Sequence, residues 1–223
     1  ILRLPPEWSQ PSLADNQILA AYRGHEFDDE DNFPEPDSQA NIDARIMGTV
    51  LHRTLQAIVE DGLAVWQNER IVQQVPFWRA QLQAQGLDRA RAQRNAARIK
   101  LSVERMLADE KGRWLLNHEH AESACEQALW HSTTDKHYES AMRESIIDRT
   151  FVDQGVRWII DYKSAEPMEG QNLQDFLAQQ VDKYQGQLLR YAQLMSDDET
   201  ASLKTALYFP LIQHLEIVDL MNL

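Results

Sequence analysis

The spacing of the hydrophobic residues changes once along this chain, near residue 120, and this change limits the fold more than any other feature. Before it, apolar residues recur every three to four positions, the spacing that places them on one face of an α-helix. From about residue 41 to 66 they are Ile42, Ile46, Val50, Leu51, Leu55, Ile58 and Val59. Similar patterns cover 66–84 and 88–110. The sequence therefore predicts three helices in this part of the chain.

After residue 120, short segments rich in β-branched and aromatic residues replace the helical pattern. Five of these segments are predicted strands: 124–131, 139–152, 156–163, 203–209 and 213–219. Asp153-Gln154-Gly155 predicts a tight turn, and a long amphipathic helix is predicted over 171–196. Helices followed by three strands, a helix and two strands indicate an α/β domain with a mixed sheet.

Prolines and acidic residues set residues 1–41 apart from the rest of the chain. Between residues 26 and 37 this irregular leader holds seven acidic residues and no Lys or Arg. The composition is typical of a solvated segment that is partly disordered, and the alternative is an acidic flap that mimics phosphate over a basic groove. We expect residues 42–223 to form a single domain, with a helical part over 42–118 and a sheet-bearing core over 119–223.

The charge is unevenly distributed along the chain. The formal net charge is −13, which taken alone argues against a nucleic-acid partner, since phosphate binding usually shows as net basicity. Residues 79–113 nevertheless hold nine Lys and Arg against four acidic residues. Four arginines of the predicted helix over 88–110 lie within about 60° of one another, at about 100° per residue: Arg91, Arg94, Arg98 and Arg105. A basic helix face of this kind predicts contact with an anionic partner; the alternative is a solvated helix face.

Cysteine content and hydropathy exclude several classes of protein. Cys125 is the only cysteine, so a disulfide framework, a zinc ribbon and a cysteine-held iron–sulfur cluster are excluded. The sequence contains no run of about 18 apolar residues, and no membrane span is predicted. The chain begins at Ile1 without a signal-peptide pattern. We therefore expect a piece of a longer protein from a reducing compartment, most simply the cytoplasm.

Two acidic residues and a lysine lie on the predicted hairpin. The hairpin can bring Asp148 beside Asp161, and two carboxylates without a cation between them are costly unless a divalent metal is bound. Asp161 and Lys163 are two residues apart on a strand and point to one face, while Tyr162 points away. An ammonium there can orient an attacking water and offset charge on a phosphate. Taken alone, an Asp-x-Lys is more often an edge-strand ion pair.

Three further polar residues lie on predicted helices. His52 belongs to the first helix, where a lone histidine on an apolar helix is more often a hydrogen-bonded core residue than a ligand. Gln187 and Tyr191 are four residues apart on the helix over 171–196 and therefore share a face. Taken alone, these two residues are an ordinary polar edge.

Four short motifs combine these residues in one order along the chain. They are Gly48–Leu55, Ile147-Asp148-Arg149, Asp161-Tyr162-Lys163 and Gln187-Leu188-Leu189-Arg190-Tyr191. In this order they resemble the RecB-like branch of the PD-(D/E)xK nuclease superfamily, found at the C-terminus of RecB and AddA helicase–nucleases. The resemblance implies a restriction-endonuclease-like α/β core, in which helices flank a central mixed sheet of about five strands.

The resemblance also implies a metal site. Its ligands are expected to be His52, Asp148, Asp161 and the backbone carbonyl of Tyr162. Mg²⁺ is the expected ion because it prefers oxygen ligands, and the histidine also admits Mn²⁺. AddB-type members of the family hold an iron–sulfur cluster with cysteines, which this chain cannot do.

The remaining residues of the motifs have implied roles in catalysis and DNA binding. Lys163 would position the nucleophilic water, and Gln187 and Tyr191 would contact the DNA backbone or brace the site. The implied catalytic set is Asp161, Lys163, Asp148, Gln187 and Tyr191. With the resemblance, the face formed by the four helix arginines is expected to be a DNA path or a helicase interface, and Arg149 joins them as an expected DNA contact.

The function implied by the resemblance is a metal-dependent DNA nuclease that hydrolyses phosphodiester bonds. We expect an exonuclease that acts on single strands in DNA recombination and repair. No Gly-x-x-x-x-Gly-Lys-[Ser/Thr] motif is present, so a helicase motor would lie elsewhere on the same chain or on a partner subunit. The alternative is a catalytically weak nuclease-like module that binds DNA or docks a helicase complex.

Overall fold

The computed structural model describes residues 39–135, 138–195 and 202–220, without the side chains of residue 40 and of residues 132–141. Residues 1–38 of the predicted acidic leader lie outside the described residues. The chain forms two compact units, and the smaller one holds the described residues between Trp130 and Glu144. The other comprises Pro34–Leu129 and Ser145–Leu223. The residues of the candidate site described below belong to this second unit.

Five helices are present in the described part of the chain, close to the predicted positions. They are α1 (Gln39–Asp61), α2 (Asn68–Ala84), α3 (Arg89–Ala108), α4 (Glu110–Leu115) and α5 (Leu173–Met195). Among these helices, none combines the length and the apolar character needed to cross a bilayer.

One predicted helix, over 88–110, is interrupted near its end. Asp88 accepts a hydrogen bond from the Arg91 backbone N–H and caps the start of α3. The helix ends at Ala108 because Asp109 takes an extended conformation and caps α4, where its carboxylate accepts from the Gly112 N–H at 2.9 Å. The apolar spacing alone does not show this second cap.

The strands form one five-stranded mixed sheet in the order β1-β2-β3-β4-β5. Their bounds are β1 (Ala121–Asp135), β2 (Tyr138–Asp153), β3 (Val156–Tyr162), β4 (Ser202–Phe209) and β5 (His214–Val218). β3 runs antiparallel to β2 and parallel to β4, and β5 is antiparallel to β4. The parallel pair is connected through α5, as expected for a crossover between parallel strands. The predicted α/β fold with a mixed sheet of five strands is therefore confirmed.

A two-residue turn joins β2 to β3 and sets their register. Gln154 and Gly155 both have positive φ, 50° and 76°, which is the backbone of the tight hairpin turn that matches the twist of the strands. The turn pairs Asp153 with Val156, and the ladder continues to the pair of Arg149 and Ile160.

Two apolar clusters cover the two faces of the sheet. Alternate residues of β3 and β4 enter each cluster because successive side chains of a strand point to opposite faces. Ile160 and Tyr208 pack with the helices that precede the sheet, whereas Ile159 and Leu207 pack with residues of α5. The sheet thus lies between α5 and the helices α1–α4, and the ends of its central strands are accessible to side chains from both layers.

Candidate metal centre

The end of the β2–β3 hairpin brings one predicted ligand to the segment that carries another. Asp148 lies one residue beyond Arg149, where the pairing of β2 with β3 ends. Its Oδ2 atom accepts a hydrogen bond of 2.8 Å from the Tyr162 backbone N–H. Asp161 precedes Tyr162 and is buried. The predicted hairpin therefore brings Asp148 to the Asp-Tyr-Lys segment.

His52 reaches this segment from α1. Its Nδ1 lies 3.2 Å from Asp148 Oδ1, and its Nε2 lies 3.1 Å from the carbonyl oxygen of Tyr162. Burial alone would lower the pKa of His52, but the Asp148 carboxylate outweighs burial and raises this pKa to about 9. The ring is therefore an imidazolium at neutral pH, and both nitrogens donate to oxygen atoms. His52, Asp148 and the Tyr162 carbonyl, three of the predicted ligands, are in direct contact.

Asp161 and Lys163 form an ion pair at the end of β3. Lys163 Nζ lies 2.7 Å from Asp161 Oδ2. Burial raises the pKa of Asp161 to about 6; the ammonium opposes this shift, and the Asp148 charge adds to it. Burial likewise opposes the charged form of Lys163, but Asp161 raises the pKa of the ammonium above its usual range. The two side chains thus depend on each other for their charges.

Glu126 of β1 is a member of the site that sequence reasoning missed. One donor atom each of His52, Glu126 and Asp148 lies within 4.8 Å of the other two. Burial raises the pKa of Glu126, and the Asp148 charge acts in the same direction. In the sequence, Glu126 is a single acidic residue in a predicted strand. Its distance along the chain from the other candidate ligands does not predict that it lies near them. Glu126 comes close to His52 and Asp148 only when β1 pairs with β2 in the folded sheet.

The residues of this cluster fit a divalent cation. Two carboxylates and an imidazole offer oxygen and nitrogen donors, which suit Mg²⁺ and Mn²⁺. Their separation of up to 4.8 Å is close to the span of an octahedral Mg²⁺ site, about 4.2 Å for bonds of about 2.1 Å. His52 would bind the ion after loss of one ring proton, since a metal ligand must be deprotonated.

Gln187 and Tyr191 contact each other on α5. Gln187 Nε2 donates to the Tyr191 hydroxyl oxygen at 2.7 Å, as expected for residues four apart on one helix face. Burial raises the pKa of Tyr191, and the charges of Asp161 and Asp148 raise it further. The phenol is therefore neutral, and its hydroxyl group keeps its proton.

Arg149 is not a DNA contact, and the expectation from the motif is wrong at this residue. The side chain is fully buried. Its guanidinium donates to the backbone carbonyls of Leu115, Asn117 and Ala124 at 2.8–3.2 Å. It also lies over the Phe151 ring. Because these acceptors lie at the last residue of α4, shortly after α4 and within β1, Arg149 joins the helical part of the chain to the sheet.

Most of the arginine face of α3 is engaged within the chain. Arg91 pairs with Asp43 of α1 and with Asp88, and Arg105 donates to the carbonyl of Leu211. The contacts to Asp43 and Leu211 hold α3 against its neighbours, so a DNA-binding role has no structural support for Arg91 and Arg105.

The other two arginines of this face are more accessible. Arg98 pairs with Glu166 at 2.8 Å, in the segment that follows Lys163, with 44% of the Arg98 side chain exposed. Arg94 is exposed, and no ion pair or hydrogen bond joins it to another of the described residues. Of the four arginines of α3 that were expected to contact DNA, Arg94 and Arg98 are therefore the two that remain accessible.

The fold and the site together define a class of protein. A mixed sheet between helix layers, with Asp148 and an Asp-x-Lys at the end of one hairpin, is the arrangement that the sequence motifs predicted for an α/β nuclease. The chain belongs to the PD-(D/E)XK nuclease superfamily, whose family model matches residues 16–220. No curated protein matches the sequence.

Proposed function

We propose that this chain is a metal-dependent deoxyribonuclease that hydrolyses phosphodiester bonds with Mg²⁺, or with Mn²⁺ in its place. One observation carries the proposal. The Asp161–Lys163 ion pair lies at the same strand end as the donor cluster formed by His52, Glu126 and Asp148. Within a superfamily of nucleases, acidic donors beside a buried ammonium support hydrolysis of a phosphodiester.

In the proposed reaction, a bound cation and the side chains of the site would have different roles. When bound, a divalent cation supplies Lewis-acid polarisation of a phosphate oxygen and offsets negative charge. The Lys163 ammonium donates a hydrogen bond that orients the attacking water or stabilises charge that develops on the phosphate. Asp161 holds this ammonium at 2.7 Å. Tyr191, whose hydroxyl oxygen accepts from Gln187, donates a hydrogen bond from the same hydroxyl group to a phosphate oxygen.

The same proposal includes the RecB-like branch of the superfamily and its setting. The four motifs from Gly48 to Tyr191 follow the order of that branch. On this basis we propose a cytoplasmic exonuclease of DNA recombination and repair that receives single strands from a helicase motor. The motor would lie on the same chain or on a partner subunit. Arg94 and Arg98 are the proposed contacts to the DNA backbone.

A cleavage assay on labelled single-stranded and double-stranded DNA tests the proposed activity. Wild-type protein is expected to cleave with Mg²⁺ or Mn²⁺, to stop when EDTA is added, and to prefer single strands with a free end. Lys163→Ala and Asp161→Ala are each expected to lower kcat at least about 100-fold, the scale of one lost electrostatic or acid–base contribution.

Lys204→Ala is the matched control, because Lys204 is an exposed lysine on the neighbouring strand β4. This variant is expected to cleave like wild type. Cleavage by Lys163→Ala at the wild-type rate would place the active site elsewhere. If wild-type protein binds DNA but does not cleave it with Mg²⁺ or with Mn²⁺, the proposed nuclease activity is contradicted. That result would favour the alternative, a catalytically weak module that binds DNA or docks a helicase complex.

A further inference from the structure

Tyr184 lies on the face of α5 that covers the candidate site. It precedes Gln187 by three residues and Tyr191 by seven, and these spacings place all three side chains on one side of the helix. Tyr184 is half-buried. It stands outside the Gln-x-x-x-Tyr motif, so no role follows from the motif.

The aromatic face of Tyr184 contacts the ammonium of Lys163. The Nζ atom lies 3.6 Å from the centroid of the ring, well within the limit of about 6 Å for a cation–π interaction. The Lys183 ammonium lies 5.1 Å from the same centroid. The shorter distance identifies Lys163 as the principal cation on this ring.

Lys163 is held at three points. Its backbone N–H donates to the carbonyl of Tyr208 at 2.9 Å, which extends the pairing of β3 with β4. Its Nζ contacts the Asp161 carboxylate at 2.7 Å, and the Tyr184 ring lies against the same atom. Only 13% of the side chain is exposed. Because a lysine has a flexible four-carbon stem, a carboxylate alone leaves the ammonium several orientations.

We propose that Tyr184 is a positioning residue, whose ring holds the Lys163 ammonium against Asp161 so that a remaining N–H points to the reacting groups. This inference rests on the proposed function, because that function assigns Lys163 to the reaction. The contact is made by the ring and not by the hydroxyl. Phenylalanine can therefore replace Tyr184, whereas leucine, which is apolar but has no π system, cannot.

Steady-state kinetics on two variants test the proposal. Tyr184→Phe is expected to keep kcat within about twofold of wild type, and Tyr184→Leu to lower kcat about tenfold, equivalent to about 1.4 kcal/mol. The KM for DNA is expected to stay unchanged in both, because the ring acts on the ammonium. Leu189→Ala, a change at an exposed residue of the same helix, is the control and keeps wild-type kinetics.

A spectroscopic measurement on the metal-free protein tests the contact independently of activity. The ring current of Tyr184 is expected to shift the ε-methylene protons of Lys163 upfield, with their signal assigned through Lys163→Met. The shift is expected to persist in Tyr184→Phe and to disappear in Tyr184→Leu. Wild-type cleavage combined with a full kcat for Tyr184→Leu, or a shift that survives in that variant, overturns the inference. Upfield protons in a wild-type protein that never cleaves DNA contradict the proposed function and support the contact.

Discussion

Glu126 reaches the candidate metal centre with a backbone conformation that residues with a side chain rarely adopt. Its φ is +48°, and Glu122, four residues earlier on the same strand, has the same value. A left-handed residue other than glycine costs on the order of 1–3 kcal/mol and persists where its surroundings require it. Glu122 pairs with Arg157 of β3, and Glu126 lies in the donor cluster. In both cases the irregular backbone directs a carboxylate to a specific partner, as β-bulges do near functional sites.

The charge of Glu126 is therefore expected to contribute to metal binding. Glu126→Gln should weaken binding of Mn²⁺ by at least about tenfold, or about 1.4 kcal/mol, because an anionic ligand becomes neutral while its size is kept. Isothermal titration calorimetry on the folded variant measures this change. Glu122→Gln removes a charge from an equally left-handed residue and should leave the Mn²⁺ affinity as it is. Equal affinities for Glu126→Gln and wild type would remove Glu126 from the site.

At the residue scale, the sequence predicts those site residues that lie close together on regular elements. Asp161 and Lys163 are two apart on one strand, and Asp148 is placed by a short hairpin, so spacing is enough to group them. Glu126 comes from a strand separated from β3 by β2, and its left-handed backbone breaks the alternation on which a strand prediction depends. The motif led us to expect a DNA contact at Arg149 because this residue is adjacent to Asp148. Its position in the motif does not show that backbone carbonyl groups inside the fold accept hydrogen bonds from its guanidinium.

At the scale of elements, the hairpin formed by β2 and β3 aligns the site. Register is set by the turn, and a slip of one residue would move Asp148 to the other face of the sheet. Gly155 occupies the second turn position with φ +76°, where a Cβ is strained even though nothing lies within 4 Å of it. The cost of a substitution there is therefore purely one of backbone conformation.

Two glycine substitutions should have opposite effects on the free energy of unfolding. Gly155→Ala is expected to lower it by about 1 kcal/mol, because alanine disfavours positive φ. Gly186→Ala, in α5 and with open space around the added Cβ, is expected to raise it by about 0.5–1 kcal/mol through helix propensity. Urea denaturation of both variants measures these changes. A Gly155→Ala protein as stable as wild type would show that the turn does not need a left-handed second residue.

The helices and strands were predictable because their apolar spacing is regular, and the exceptions have local causes. The helix predicted over 88–110 ends at Ala108 because Asp109 caps α4 and also accepts a hydrogen bond from Tyr208 of β4. The arginine face of α3 was predicted from angles within one helix. Such angles contain no information about other elements of the fold. In the structure, Arg91 pairs with Asp43 of α1 and Arg105 donates to the carbonyl of Leu211.

At the scale of the whole molecule, the site exists only where several parts of the fold meet. α1 supplies His52, β1 supplies Glu126, and the hairpin supplies Asp148 and the Asp-x-Lys pair. The net charge of −13 therefore does not exclude a nucleic-acid partner, because bound cations reverse the local sign of an acidic centre. Since the unfolded chain cannot assemble these donors, metal binding is also expected to stabilise the fold.

The central claim is that a divalent cation binds among these donors. Anomalous diffraction from crystals soaked in Mn²⁺ tests it most directly, because the method locates the ion without any assumption about activity. The account predicts an anomalous peak in contact with the side chains of His52, Glu126 and Asp148, beside Asp161 and the carbonyl oxygen of Tyr162. A fully soaked crystal that shows no peak there, or a peak only at other acidic residues, would contradict the account.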